Sequence, residues 1–148
     1  MQDPITIHVP GPEDTDLFNN VADGVFDGPV RADQLQAFLN SESHVIVLAR
    51  AGGVVVGFAS AVIYLHPDKP PQLWINEVGT APPWHRQGIA SKVVQTMIDL
   101  ARARGWQEPF VLTDDDNAAA RALYAKLGGT ESTGIVMFTW DSRTGRRN

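Results

Sequence analysis

The segment Leu73–Leu100, LWINEVGTAPPWHRQGIASKVVQTMIDL, reads as a strand, a turn and a helix, and the rest of the fold can be worked outward from it. LWINEVGT (73–80) is rich in β-branched and aromatic residues and stops at Ala81-Pro82-Pro83, where prolines withdraw the N–H groups that a ladder needs. Ile89, Val93, Val94, Met97, Ile98 and Ala101 recur at helical spacing, with Lys92, Gln95, Asp99 and Arg102 on the opposite side, so residues 88–104 form an amphipathic helix ended by Gly105. Between strand and helix lie His85, Arg86, Gln87 and Gly88. A helix start leaves backbone N–H groups unpaired and carries partial positive charge, which suits an anion. Gly88 allows close approach and Ala90 keeps the next turn open. The spacing fits neither a Walker loop nor a dinucleotide-binding glycine pattern.

PFVLT (109–113) follows as a buried strand, making the segment the first half of a strand–helix–strand passage. Upstream, HVIVLARA (44–51) and VVVGFASAVIYL (54–65), split by Gly52-Gly53, form a hairpin. ITIHV (5–9) is a first strand, PEDTDLFNNVADGVF (12–26) a helix with acids in its first turn, and RADQLQAFLN (31–40) a second helix. Downstream, NAAARALYAKL (117–127) is a helix capped by Asn117, and ESTGIVMFTWD (131–141) holds one or two closing strands. The order β-α-α-β-β-β-α-β-α-β predicts an α/β fold: a mixed sheet with helices on both faces. Residues 1–142 read as one domain, and 143–148 as a basic tail expected to be disordered.

The chain of 148 residues has 12 Lys and Arg against 17 Asp and Glu. Setting aside Arg143, Arg146 and Arg147 of the tail leaves nine cations in residues 1–142, a net of -8. Such a surface repels nucleic acid and anionic membrane and attracts cations. There is no cysteine, hence no disulfide framework or thiol nucleophile. His8, His44, His66 and His85 have no metal-ligand spacing. A cytoplasmic location fits the absence of a leader pattern at the N-terminus. Monomer and homodimer both remain open.

About thirty residues after the turn comes TDDDNAAARALYAKLGG (113–129). Asn117, Ala120, Arg121 and Tyr124 share one helix face. HRQGIA (85–90) and NAAARALYAKLGG (117–129), preceded by the acid-bearing strand INEVGT (75–80), resemble the GNAT superfamily of acetyl-CoA-dependent N-acetyltransferases. The turn pattern of that superfamily begins with Gln or Arg; here His85 stands in that place. Within the superfamily, YLHPDKPPQLWINEVGTAPPWHRQGIA (64–90) followed by LTDDDNAAARALYAKLGG (112–129) looks most like the small aminoglycoside 3-N-acetyltransferases and their environmental relatives.

The resemblance implies a V-shaped gap between the strands at 73–80 and 109–113, where the pantetheine arm of acetyl-CoA lies as an added strand on the backbone of Val78 and Thr80. The pyrophosphate would rest on His85, Arg86, Gln87, Gly88, Ile89, Ala90 and Ser91, with Asn117, Ala120 and Tyr124 beside the arm. The acceptor is a small cationic amine, which must lose a proton before attack. Asp114 is the favoured base, with Glu77 second or holding the amine; Asp115 and Tyr64 join them as substrate-binding residues. Tyr124 would protonate the leaving thiolate, and no metal is implied. The Asp114–Asp116 run equally suits helix capping. The motifs do not separate an aminoglycoside from a polyamine or amino-acid-like amine, nor exclude a protein substrate or an acyl-CoA-binding sensor without turnover.

Overall fold

The computed structural model describes residues 3–142. They group into two compact units divided after Thr113.

The first unit is built on five strands in the order β1-β2-β3-β4-β5. β1 (Ile5–His8), β2 (His44–Ala51), β3 (Val54–Tyr64) and β4 (Gln72–Thr80) run antiparallel to one another, and β5 (Gln107–Val111) joins β4 in parallel. The mixed sheet is as the sequence predicts. Gly52 and Gly53 turn the β2–β3 hairpin with φ of +56° and +86°, values that a residue with a Cβ rarely adopts.

Each face carries its own helix. α2 (Ile89–Arg104) buries Ile89, Val93, Val94, Met97 and Ala101 against the sheet. Fully burying one such side chain contributes roughly 1.5–3 kcal/mol, so this stripe fixes the helix. On the opposite face, α1 (Ala32–Asn40) packs Leu39 into a cluster with Phe18, Val25, Ile46, Leu48, Val55, Phe58 and Ala81. The side-chain alternation agrees: Leu48 and Phe58 are cross-strand partners on the α1 face, while Ala49 and Gly57 pair on the α2 face.

The helix expected over 12–26 does not form. Only Thr15–Phe18 makes a short 3-10 turn. Beyond it the Ala22 N–H donates to the Val55 carbonyl (2.9 Å) and the Val55 N–H to the Asn20 carbonyl (2.8 Å), and Gly24 takes φ of +86°. Asn, Asp and Gly are weak helix formers, and pairing with β3 satisfies these backbone groups instead. The strand expected to be buried at 109–113 is displaced to β5 and is open: Gln107, Glu108 and Pro109 are exposed, and Phe110 and Val111 half-buried. It stands at the end of the sheet and has β4 on one side only.

The second unit holds α3 (Ala118–Lys126). The Asn117 side chain accepts a hydrogen bond from the Ala120 N–H (3.1 Å), making the expected cap. The Gly129 N–H closes the other end on the Tyr124 carbonyl (2.9 Å). The closing strands expected over 131–141 are absent among the described residues; Ile135, Val136, Met137, Phe138 and Trp140 are 65–85% exposed. A strand needs a partner for its backbone as well as an apolar sequence, and the apolar pattern of 135–140 names none. The basic tail, 143–148, lies outside the described residues. No helix among them is long and apolar enough to cross a membrane.

Candidate functional site

The first unit opens where β4 leaves β5. The two strands pair at Gln72–Gln107, Trp74–Phe110 and Ile75–Val111, and then stop. β4 continues to Thr80 on β3 alone. The segment Asn76–Thr80 therefore has one edge paired and, among the described residues of this unit, the other free, the V-shaped gap that the resemblance implies. Successive residues of a strand direct their backbone groups to alternate edges, so Val78 and Thr80 share an edge that an extended chain can join.

A bulge begins the gap. Ala61 pairs with Ile75, but Ser60 pairs with Glu77, so Asn76 is an extra residue on β4. The extra residue reverses the alternation. Glu77 joins Trp74 on the α1 face; in regular pairing Asn76 would stand opposite Ser60 and Glu77 would point at α2. Glu77 is exposed, and no ion pair or hydrogen bond is formed by its side chain among the described residues.

The turn after β4 is a short 3-10 segment, Pro82–Trp84, followed by two left-handed residues, Arg86 at φ +64° and Gly88 at φ +76°. The first helical bond of α2 runs from the Lys92 N–H to the Gly88 carbonyl (3.1 Å). The N–H groups of Ile89, Ala90 and Ser91 consequently have no carbonyl a turn behind them, and no side chain caps the helix. A Cβ built on Gly88 would meet nothing within 4 Å. Open donors, an open approach and the positive helix end together fit a diphosphate.

His85 and Gln87, both exposed, bond back onto the turn. The His85 Nε2 lies 2.8 Å from the Thr80 carbonyl, and Gln87 Nε2 donates to the Pro83 carbonyl at 3.3 Å. Both side chains brace the turn, while the Arg86 guanidinium makes no ion pair or hydrogen bond among the described residues. The indole N–H of Trp84 is buried and has no acceptor among the described residues.

Two glycines that the motif reading passed over set the shape. A Cβ on Gly57 would lie 2.6 Å from Ile89 Cγ2, so Gly57 allows the start of α2 to sit on β3. A Cβ on Gly79 would lie 2.7 Å from the Val25 carbonyl, so Gly79 allows the loop after the 3-10 turn to press on β4. Phe26 then meets Phe58 at a centroid distance of 4.5 Å. Isolated glycines inside apolar strands were the available signal. Tyr64 pairs with Gln72 at the far end of β3 and packs against His66, with ring centroids 4.5 Å apart and the rings tilted by 41°.

The second unit carries the other motif. Asp114, Asp115 and Ala120 lie at the start of it. The Asp114 carbonyl accepts from the Asn117 N–H (3.0 Å). Tyr124 is half-buried, and that desolvation raises its phenol pKa above 10.0. Arg121 forks onto Glu131 (2.7 and 3.1 Å) and donates to the Asp115 carbonyl (2.6 Å), a contact that periodicity alone did not reveal. Glu131 is held below its ordinary pKa by the hydrogen bond and charge of Arg121. Among the described residues no group of His, Asp and Glu is arranged to hold a metal.

The profile of the family described as Acetyltransferase (GNAT) family matches residues 15–129, and the chain belongs to that family. N-acetyltransferase family 8 member 3 of Mus musculus is 29% identical over 117 residues, covering 76% of this chain and 50% of that protein. The chain spans about half the length of the family 8 relatives it matches. An aminoglycoside acetyltransferase from an uncultured soil metagenomic sample, solved with trehalose, superposes with a TM-score of 0.79 at 20% identity over 94% of this chain and 97% of that one. Its complex with sisomicin gives 0.78. The aminoglycoside N-acetyltransferase AAC(6')-Iy, bound to the bisubstrate analog CoA-S-monomethyl-acetylneamine, gives 0.72 at 18% identity, covering 94% and 99%. At such identities the likeness to these structures is one of fold.

Proposed function

Proceeding from membership in this family, we propose that the protein transfers the acetyl group of acetyl-CoA to an amine of an aminoglycoside, at the 3-N position, in the cytoplasm, and so confers resistance. The observation that carries the reading is the free edge Asn76–Thr80 ending at an uncapped helix start, with the exposed carboxylate of Glu77 at the bulge. The fold neighbours solved with sisomicin and with an acetylneamine bisubstrate support the choice of amine, as does the acidic surface.

Bound acetyl-CoA supplies an activated acyl thioester. Val78 and Thr80 pair with its extended arm, and the N–H groups of Gly88–Ser91 with Arg86 receive its phosphates. Glu77 holds the amine as an ammonium. Asp114, directly or through a water, takes the proton that frees the lone pair. A C–N bond forms and the C–S bond breaks, with the Val78 N–H offered to the carbonyl oxygen as negative charge grows there. Tyr124 gives its phenolic proton to the departing sulfur; a phenol pKa of about 10 already keeps that proton on the ring at neutral pH, and desolvation raises it further. The chain has no cysteine, and direct transfer needs none.

The test is thiol release from acetyl-CoA with sisomicin, kanamycin, spermidine, lysine and a histone-tail peptide. Turnover confined to the aminoglycosides is expected, with product mapping giving the position. Turnover on spermidine or the peptide alone would discard the antibiotic reading and keep the acetyl transfer. Binding of acetyl-CoA without turnover on any amine would turn the reading to an acyl-CoA sensor.

A further inference from the structure

The bulge at Asn76 gives the α1 face of the sheet a surface that helix packing leaves open. Counting from the pair Phe58–Gly79, whose side chain and Cα meet on that face, the register puts Ser60 and Glu77, then Val62 and Trp74, then Tyr64 and Gln72 on the same side. The Trp74–Phe110 pair adds Phe110. The Trp74 and Phe110 rings are parallel, with an interplanar angle of 5° and a centroid distance of 6.0 Å. Both are half-buried, and Tyr64 is 43% exposed. One carboxylate thus stands at the end of an aromatic row. It carries no ion pair among the described residues, on a chain of net charge -5. Two sheet positions separate Glu77 from Trp74, a rise of about 7 Å.

We propose that Trp74, with Phe110 and Tyr64 beside it, is a specificity determinant for the acceptor: the aromatic row takes the apolar face of a saturated ring whose amine reaches Glu77, and so selects ring-borne amines over linear ones. This rests on the acetyl-transfer reading for its consequence, but the contact itself is a binding property. An aromatic face buries the apolar face of a saturated ring and attracts a nearby ammonium through its ring quadrupole. A flexible linear polyamine satisfies Glu77 equally well but loses more conformational freedom when laid along a row of rings.

Calorimetric titration of neamine and of spermidine into wild type, Trp74→Ala, Trp74→Phe and Tyr64→Ala decides it. Expected is a Kd for neamine weakened about fivefold or more in Trp74→Ala and in the same direction in Tyr64→Ala. Trp74→Phe should stay within about twofold of wild type, and spermidine should be unmoved. Tyr64 is exposed enough that its variant keeps the fold if Trp74→Ala does not. Equal weakening of both ligands, no change for neamine, or no binding of neamine to wild type overturns the proposal. Thiol release measured on the same proteins separates the two readings. The expected binding pattern without turnover on any amine sinks acetyl transfer and leaves the ring-selective surface standing.

Discussion

Ser60 stands opposite Glu77, while its neighbour Ala61 stands opposite Ile75. The pairing steps over Asn76, and this bulge turns a carboxylate from the α2 face of the sheet to the part of the α1 face that α1 leaves open. An unpaired, exposed carboxylate does nothing for stability, so its removal should be felt in binding alone. Glu77→Gln is expected to raise KM for a cationic amine about tenfold or more, with a melting temperature within about 2 °C of wild type. Steady-state kinetics and calorimetry on the same preparation check both halves.

Asp114→Asn is expected to remove most of kcat, about a hundredfold or more, because loss of a general base acts on the chemical step. If Glu77→Gln abolishes turnover and Asp114→Asn does not, the order of the two carboxylates is reversed.

Tyr124→Phe should lower kcat more than it raises KM for acetyl-CoA; an unchanged kcat removes the phenol from the acid role. Its pH behaviour follows from burial. The folded phenol holds its proton above the ordinary value of 10.0. It therefore stays a competent acid through neutral and mildly alkaline pH. Any alkaline fall in kcat that belongs to Tyr124 has its midpoint above the ordinary phenol value of 10.0 and is missing in the Phe variant. The same shift means that folding stability is unaffected by this group below pH 10 and declines as pH rises from there through the folded pKa.

The turn offers a contrast between backbone and side chain. His85 is bonded to the Thr80 carbonyl, so His85→Ala should change acetyl-CoA affinity by no more than about threefold. Gly57→Ala puts a methyl 2.6 Å from Ile89 Cγ2. Overpacking of this kind costs about 1–3 kcal/mol and shifts the start of α2, so both a lower melting temperature and a higher KM for acetyl-CoA are expected. Gly88→Ala meets open space but must hold φ of +76°, costing about 1 kcal/mol through backbone strain alone.

In the second unit the Arg121–Glu131 fork ties α3 to the segment after it. Glu131 is held below 4.5 by Arg121. The fork is accordingly intact above pH 4.5 and is lost as pH falls through the depressed value. Hydrogen exchange at residues 130–134 is expected to quicken in Glu131→Gln at neutral pH and to become equal to wild type in acid.

Much of the fold was legible because it rests on periodicity. The stripe Ile89–Ala101 and the apolar hairpin around Gly52-Gly53 each have one reading, and packing follows it. The cap at Asn117 was equally plain. What failed depended on partners that a local pattern does not name. The residues after Phe18 spend their backbone hydrogen bonds on Val55, which composition alone cannot foretell. The apolar run at 134–140 reads as a strand, yet among the described residues no neighbour completes it. Of the site, the motif residues were found by resemblance. The bulge at Asn76 and the face it gives to Glu77 depend on a register between two strands, and register is not written in either strand separately.

The free edge of β4 has a consequence for handling the protein. Along one edge of Asn76–Thr80 the backbone groups have no strand partner among the described residues, and such an edge is a template for an extended chain. In the ligand-free protein another copy competes for that place; a bound pantetheine arm would close it. Preparations held with coenzyme A should therefore stay clear of strand-mediated aggregates at concentrations where ligand-free protein does not, and light scattering with and without the coenzyme measures the difference.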